Sequence, residues 1–234
     1  MTDVAANVAR VRERIAAAAR RSGRRAEEVT LVAVTKGVDL PRILAAVTCG
    51  VTDFGENRVQ EAVPKITASP AQGLRTARWH MVGHLQRNKA RAAVQVFEVV
   101  HSVDSAALAG ALSQRAAESG RVVEALVQVN VAGERQKFGV APDALLSLLQ
   151  AAAGLPALRM IGLMTVAPRS DDPQVARTVF RRLRELRDDM TQAGATPSLK
   201  HLSMGMSDDF EIGVEEGATL VRIGRALFGP AHAL

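Results

Sequence analysis

Apolar and polar residues follow two alternating patterns along the chain. Long segments carry apolar residues at helical spacing, and residues 3–22 are one of them. Val4, Val8 and Val11 fall on one face of that predicted helix. Short runs of apolar residues lie between the long segments, as at residues 30–35. Such uninterrupted runs are typical of strands covered on both faces, as in parallel sheets, so the pattern predicts helices that alternate with buried strands.

The order of these segments predicts a closed barrel. The predicted strands are 30–35, 51–54, 79–82, 96–100, 122–129, 158–161, 198–202 and 218–223. The predicted helices are 3–22, 39–49, 59–66, a short one beginning within 83–89, 105–118, 142–153, 172–192 and 207–216, with a polar loop at 67–76. Strict alternation of strand and helix favours a parallel sheet, and eight units favour its closure. We therefore expect an α/β fold, a single (β/α)8 TIM barrel with an extra N-terminal helix, with residues 1–234 as one domain.

Composition agrees with one folded domain and narrows its class. The chain has 234 residues and is 47% hydrophobic, which is enough for one sizeable core. Its single cysteine, Cys49, excludes an internal disulfide framework and is expected to be a small core residue. The first residues lack the pattern of a secretory signal, and no apolar run approaches the roughly 18 residues that span a bilayer. We expect a cytoplasmic protein without a membrane partner.

The formal charge of +6 and the pI of about 10.4 permit binding to nucleic acid. The arginines concentrate within residues 10–25 and 177–187, with Glu13, Glu185 and Asp188 among them, which is typical of solvated helix faces. Aromatic residues make up only 3% and tyrosine is absent, so platforms for base stacking are scarce. We expect no nucleic-acid partner. An RNA-binding module remains an alternative that the charge alone supports.

Polar residues follow or end the predicted strands, at the face where such barrels carry their function. They are Lys36, Asn57, His80, Ser102, Asn130, Thr165, Ser203 and Arg222. Lys36 follows the first strand, where partial burial would lower the pKa of its amine and make it a nucleophile for Schiff-base chemistry. The alternative is a lysine that only marks the end of a strand in solvent.

Small residues and glycines follow the last two strands, in segments 203–207 and 222–225. They let backbone N–H groups approach an anion, and the loops after strands 7 and 8 are the usual phosphate site of this fold. An amine on one side and a phosphate cradle on the other suit a phosphorylated aldehyde. His80 and His84 have the spacing of a zinc pair, but Met81 stands where the motif has glutamate, so we expect no metal.

Seven motifs in order resemble one known family over nearly the whole chain. They are Val34–Lys36, Phe54–Arg58, Trp79–Lys89, His101–Asp104, Gly162–Thr165, Ser203–Ser207 and Arg222–Gly224. They closely resemble the YggS/PROSC family of pyridoxal 5′-phosphate (PLP) homeostasis proteins. That family is similar in turn to the barrel domain of alanine racemase, a fold type III PLP enzyme.

The resemblance implies a role for each matching residue. Lys36 would form a Schiff base with PLP, Arg222 would face its pyridine nitrogen, and Asn57 would line the pocket beside the ring. The positions that hold the phosphate are Ser203, Ser207, Gly224 and Arg225, and which serine contacts it stays open. Lys137 matches a lysine near the pocket mouth that acts in PLP release, with an ordinary exposed lysine as the alternative.

The resemblance also implies a function. A cation at the ring nitrogen disfavours protonation of the ring and weakens it as an electron sink. Racemases of this fold compensate with a second catalytic base, a tyrosine from a separate domain. In this chain we expect neither that tyrosine nor that domain. The implied function is to carry and buffer PLP for vitamin B6 and amino-acid homeostasis, without substantial turnover. It would act as a monomer that hands PLP to apo PLP-dependent enzymes. The alternative is a small fold type III racemase whose second base is His80 or His84.

Overall fold

The computed structural model describes residues 3–67, 74, 77–194 and 199–230. Most of the predicted loop at 67–76 therefore lies outside the described residues, as does Ser198 at the start of a predicted strand.

The strands form a closed parallel barrel in chain order, which confirms the predicted fold class. They are β1 Thr30–Val34, β2 Asp53–Glu56, β3 Arg78–Met81, β4 Val99–Val103, β5 Val123–Gln128, β6 Leu158–Met164, β7 His201–Ser203 and β8 Leu220–Ile223. The barrel closes between β1 and β8, where Val32 pairs with Arg222. This closure sets the end of β1 beside the end of β8, which positions the candidate site.

Helices surround the barrel, and the predicted N-terminal helix is present. They are α1 Val4–Arg21, α2 Leu40–Thr48, α3 Val59–Thr67, α4 Ala90–Val96, α5 Ala106–Glu118, α6 Leu145–Ala153, α7 Pro173–Gln192, α8 Phe210–Glu215 and α9 Arg225–Phe228. Asp3, Asp39 and Asp172 cap three of them, each accepting a backbone N–H of the first turn. These caps satisfy donors that a helix cannot satisfy internally, which is why the predicted starts are accurate.

Three predicted strands are displaced along the chain, and the one predicted at 198–202 is β7 at His201–Ser203. The strand predicted at 96–100 begins only at Val99, because α4 runs to Val96 and the N–H of Phe97 still donates to Ala93 O at 2.9 Å. The strand predicted at 51–54 begins only at Asp53, because the N–H of Val51 still donates to Ala46 O at the end of α2. Short apolar runs do not distinguish strand from buried helix, and the errors at 96–100 and 51–54 follow from that.

Successive strand residues point alternately into the barrel and towards the helices. The layer between strands and helices is a large apolar cluster that includes Ala33, Phe54, Trp79 and Phe180. A smaller apolar cluster fills part of the barrel interior; its buried members are Val32, Val99, Leu126, Ile161, Met164 and Leu220. The rest of the inner face is polar, and it lies beneath the candidate site.

Charged residues of the outer helices bind one another across helices. The sequence predicts that the arginines of α1 and α7 lie on solvated helix faces. Several of them instead bind acids in or just after α8. The pairs are Arg14–Glu211 at 2.9 Å, Arg21–Glu215 at 2.7 Å, Arg177–Glu215 at 2.6 Å, Arg177–Glu216 at 3.0 Å, Arg181–Glu216 at 3.3 Å and Arg184–Glu216 at 3.1 Å. Cys49 is the C-cap of α2 and only partly buried, so it is less central to the core than expected. Among the described helices, none has both the length and the apolar content to cross a membrane.

Candidate functional site

A cavity of about 970 Å³ opens at the carboxyl ends of the strands. Its size is typical of pockets that hold small molecules. Its wall includes Val34 of β1, Asn57 after β2, Ser207 after β7, Arg222 of β8 and Gly224 just after β8. The barrel therefore brings Asn57, Ser207, Arg222, Gly224 and Arg225 of the predicted site to one cavity.

Lys36 lies in the turn that follows β1 and is exposed. The turn needs Gly37, whose φ of 65° is a left-handed conformation that other residues adopt at a cost. Of the described residues, the cavity wall includes Val34 but not Lys36, two residues further along. The exposure of the residue agrees with the alternative interpretation, a lysine that marks the end of a strand in solvent.

Arg222 forms part of the cavity wall from within the barrel. Its side chain donates to Ser203 Oγ at 2.6 Å through Nη1 and to Thr165 O at 2.9 Å through Nη2. Burial lowers the pKa of Arg222 to about 10, while Asp209 acts in the opposite direction. The guanidinium is therefore still a cation at neutral pH. It carries more N–H donors than these two bonds use, so it can also bind an acceptor in the cavity.

The two serines that the resemblance assigns to the phosphate lie in different surroundings. Ser203 is fully buried in β7, and its hydroxyl contacts Arg222 and His101. Ser207 lies at the cavity wall, where its Oγ accepts the N–H of Ala226 at 3.2 Å. Ser207 is thus open to the cavity beside Gly224 and Arg225, while Ser203 lies below the floor. Ser102 and Ser203 lie within β4 and β7 rather than after them, which corrects the predicted ends of those two strands. His80 and Arg222 lie within β3 and β8, as the predicted strands have them.

The segment between Ser203 and Ser207 has a fixed shape. Gly205 has φ of 94°, and a Cβ there would come within 2.8 Å of Phe210 Cα, so only glycine fits. The N–H of Met206 donates to Asp209 Oδ1 at 2.6 Å. Burial raises the pKa of Asp209 against the opposing effect of that bond. The backbone around Ser207 is therefore held in place before any ligand arrives.

Lys137 lies at the rim of the same cavity. Its Nζ is 2.5 Å from Glu134 Oε1 and donates weakly to Val166 O at 3.5 Å, and Val166 belongs to the cavity wall. The next residue, Phe138, stacks on His84 with ring centroids 3.6 Å apart. The loop that follows β5 therefore reaches across to the loop that follows β3, and it carries Lys137 to the mouth.

Sequence reasoning missed one feature, a line of polar side chains inside the barrel. Asp53 Oδ1 is 3.0 Å from His80 Nε2, His80 Nδ1 is 2.8 Å from His101 Nε2, and His101 Nδ1 is 2.8 Å from Ser203 Oγ. Arg222 completes the line through Ser203. Each of these residues was visible as a polar position on an inward strand face, but only the barrel's register shows that they touch.

The sequence suggested His80 or His84 as the second base of a racemase, and the structure gives His80 a different place. Both ring nitrogens of His80 are within hydrogen-bonding distance of a partner in the line, so His80 is not free to act as a base in the cavity. Burial lowers the pKa of His80, although Asp53 acts against this, and burial lowers the pKa of His101 further. Both histidines are therefore neutral at physiological pH. His84 lies elsewhere, with Nδ1 3.3 Å from Asp104 Oδ2.

The arrangement can hold an anion and a ring acceptor at once. Ser207 with Gly224 and Arg225 offers donors and positive charge at one side of the cavity, and Arg222 offers a buried cation at its floor. Asp208 pairs with Arg225, so part of that charge is balanced. A Cβ on Gly224 would lie 3.3 Å from Val34 O, so the anion side is packed directly against the strand that leads to Lys36.

Comparison with known proteins agrees with this geometry. The family described as alanine racemase, N-terminal domain, matches residues 6–232. The pyridoxal phosphate homeostasis protein of Aquifex aeolicus (strain VF5) is 42% identical over 222 residues, which cover 95% of this chain and 96% of that protein. The protein of the same name from Escherichia coli (strain K12) is 39% identical over 235 residues, covering 98% of this chain and 97% of that protein.

A solved structure gives the same result. PipY of Synechococcus elongatus PCC7942, determined with PLP bound, has a TM-score of 0.84 and 35% sequence identity, covering 97% of this chain and 100% of that one. Family, relatives and structure thus agree over almost the full length. The chain belongs to the pyridoxal phosphate homeostasis proteins, within the family of the alanine racemase N-terminal domain.

Proposed function

We propose that this protein binds PLP in the cavity at the carboxyl ends of the strands, and carries and buffers it there. The observation that carries the proposal is the close packing of Gly224 against β1, where a Cβ on this glycine would lie only 3.3 Å from Val34 O, because it joins the anion side of the cavity to the strand of Lys36. The relative PipY was determined with PLP bound, which supports the choice of ligand. Bound PLP supplies an aldehyde that a lysine amine can capture reversibly, and an electron-withdrawing ring.

Each residue has a proposed task. Lys36 holds the aldehyde through a Schiff base, and its exposure lets it meet an aldehyde that arrives from solvent. Ser207, Gly224 and Arg225 hold the phosphate, and Asn57 lines the wall beside the ring. Arg222 donates to the ring nitrogen. We assign Ser203 to Arg222 instead of the phosphate, because its hydroxyl is buried and already bonded. The remaining residue, Lys137, acts at the rim in release.

We infer that turnover is low. Arg222 keeps its charge when buried, and a cation at the ring nitrogen disfavours ring protonation, so the ring is a poor electron sink. Two-base chemistry needs a second positioned acid or base. The sequence contains no tyrosine, and both nitrogens of His80 are engaged. The protein would thus serve vitamin B6 and amino-acid homeostasis as a cytoplasmic monomer that passes PLP to apo-enzymes.

A small racemase is the second candidate. The match to the alanine racemase N-terminal domain favours it, and so does His84, which is only partly buried near the rim beside Asp104. The two candidates share the lysine and differ in turnover. Racemisation of an amino acid that depends on both Lys36 and His84 would replace the carrier proposal with this one.

The first experiment is the visible absorption spectrum with added PLP, in wild type, Lys36→Ala and Lys200→Ala. Lys200 is an exposed lysine just before β7, at the other end of the barrel, and serves as the matched control. We expect a yellow band in wild type and Lys200→Ala that Lys36→Ala lacks, and a phosphopyridoxyl group on Lys36 after borohydride. A wild-type protein that takes up no PLP, or that is labelled equally on other lysines, would contradict the proposal.

A further inference from the structure

The line of polar side chains runs through the barrel from one end to the other. It consists of Asp53, His80, His101, Ser203 and Arg222, and we call it the polar line. Arg222 belongs to the wall of the cavity at the carboxyl ends of the strands. Asp53 belongs to the wall of a second cavity, of about 460 Å³, at the opposite end. All five side chains are buried, and apolar side chains fill the interior beside them.

The hydrogen bonds of the polar line have a direction that the chemistry of its ends imposes. Arginine only donates, and an ionised carboxylate only accepts. Arg222 donates to Ser203 Oγ, whose own proton is then directed to His101 Nδ1 at 2.8 Å. That makes His101 the donor from Nε2 to His80 Nδ1 at 2.8 Å. The line ends with His80 Nε2 donating to Asp53 Oδ1 at 3.0 Å.

The opposite direction has a higher cost. If His101 donated from Nδ1 to Ser203, its Nε2 would accept from His80 Nδ1. His80 would then face the carboxylate of Asp53 with an unprotonated nitrogen unless it took up a second proton. Burial lowers the pKa of His80, and burial together with His80 and Arg222 lowers the pKa of His101. A second proton is therefore disfavoured, and one direction is left in which each contact of the line joins one donor to one acceptor.

We propose that Asp53, His80, His101 and Ser203 are positioning residues for Arg222: their one-way line of hydrogen bonds fixes the guanidinium at the floor of the cavity, with both histidines neutral and protonated at Nε2. The contact of Arg222 with the PLP ring nitrogen rests on the proposed function. The line itself does not, because it is built entirely from this chain's own side chains.

The reason for such a line lies in the nature of Arg222. Its long side chain has many rotamers, and its charge is buried in an interior whose other buried side chains include Val32, Val99 and Leu220. The carboxylate of Asp209 acts on it through charge, whereas its described hydrogen bonds go to Ser203 and Thr165. A carboxylate bonded directly to the guanidinium would neutralise the cation that faces the cavity. A neutral relay to the distant Asp53 instead orients the guanidinium through aligned dipoles and leaves its charge available. The relay thus fixes the position of the guanidinium without neutralising its charge.

The first test needs no PLP and uses the full chain labelled with ¹⁵N in histidine and arginine. We expect His80 and His101 as Nε2–H tautomers, and separate, slowly exchanging Nη signals for Arg222. His101→Leu and Asp53→Ala break the line and should average the Arg222 signals. Asp53→Asn and His101→Gln each keep a donor and an acceptor at about the same places, and they should restore them. Either histidine protonated at Nδ1 alone, or Arg222 signals unaffected by both breaking variants, would overturn the proposal.

The second test measures PLP affinity and the absorbance maximum of the loaded protein. We expect His101→Leu and Asp53→Ala to weaken affinity about tenfold and to move the band, as loss of a bond that supports a charged group would. Asp53→Asn and His101→Gln should stay within about threefold of wild type. The control is His201→Gln, since His201 contacts Thr219 and lies outside the line, and its affinity and band should not change.

The two proposals fail in different ways. If wild type takes up no PLP, the proposed function fails. The histidine tautomers and the Arg222 signals then decide by themselves whether the polar line positions Arg222. If wild type and Asp53→Ala take up PLP with equal affinity and the same band, the polar line fails as a positioning device and the proposed function stands. Asp53 lies at the far end of the line, beside the second cavity. If His101→Leu fails to fold, Asp53→Ala therefore still tests the proposal.

Discussion

The two packed layers of this barrel are built from different kinds of side chain. The layer between strands and helices is almost wholly apolar, with Phe54, Trp79 and Leu112 among its buried residues. The barrel interior is divided between an apolar cluster and the polar line that ends at Arg222. The same strands supply both layers, since one face of each strand points inward and the other outward. One β-sheet therefore serves stability on its outer face and the candidate site on its inner face.

This difference indicates which substitutions each layer tolerates. Apolar burial has no direction, so the outer layer depends on volume and area. The polar line depends on the identity of each donor and acceptor, because a buried polar group that loses its partner is costly. Glu56 is a charged exception in the outer layer: it is fully buried, and its Oε1 accepts from Lys65 and Thr35, each at 2.6 Å. Lys65 lies on α3, so this ion pair fastens that helix to the barrel.

The largest expected effect is in the outer layer. Leu112 is fully buried on α5, far along the chain from the residues of the cavity wall. Leu112→Ala should lower the free energy of unfolding by about 3 kcal/mol, because it removes buried methyl groups and leaves a cavity. PLP affinity of the folded protein should stay as in wild type. Urea unfolding measures the first quantity and absorbance titration the second, and a tenfold loss of affinity without unfolding would contradict this separation of the layers.

The sequence predicted the outer layer better than the inner one, for a physical reason. Helical spacing at Val4, Val8 and Val11 and the cap at Asp172 are local signals, and they place helices without knowledge of the fold. The barrel and the cavity residues Ser207, Arg222 and Gly224 could be predicted from strand order and motifs. The polar line could not, because His80 and His101 meet only through the pairing of β3 with β4, which local pattern does not specify. The exposure of Lys36 depends likewise on the turn after β1.

A smaller effect should separate two serines of the barrel that differ in their partners. Ser203 Oγ contacts Arg222 and His101, whereas Ser102 Oγ is buried with no hydrogen-bond partner among the described residues. Ser203→Ala should lower the free energy of unfolding by about 2 kcal/mol, because it leaves a charged donor unpaired. Ser102→Ala removes only an unsatisfied hydroxyl and should be neutral or stabilising.

Chemical denaturation of both variants beside wild type measures the difference. The pair is matched, because each substitution deletes one oxygen from a fully buried strand residue. Equal losses in the two variants would mean that the interior responds to volume as the outer layer does, and the comparison between the layers would fail.

The smallest expected effect, per residue and per pH unit, is on the pH dependence of stability, and it arises from the histidines of the interior. Burial holds the pKa of His80 and of His101 below the usual value of 6.5. The unfolded chain therefore binds more protons than the folded one below about pH 6.5, and the free energy of unfolding falls as pH decreases from 7 to 5. Each neutral histidine adds at most about 1.4 kcal/mol per pH unit to this slope.

His101→Gln should flatten the slope between pH 7 and 5, because glutamine takes up no proton in either state. Ser102→Ala is the control, because it changes the neighbouring residue of β4 and removes no titrating group, and it should leave the slope as in wild type. Asp53 does not enter this window: hydrogen bonds from His80 and Thr52 outweigh its burial and lower its pKa, so its contribution is lost only at more acidic pH. A slope that His101→Gln leaves as in wild type would contradict the prediction, and this histidine of the interior would then have no special role in acid sensitivity.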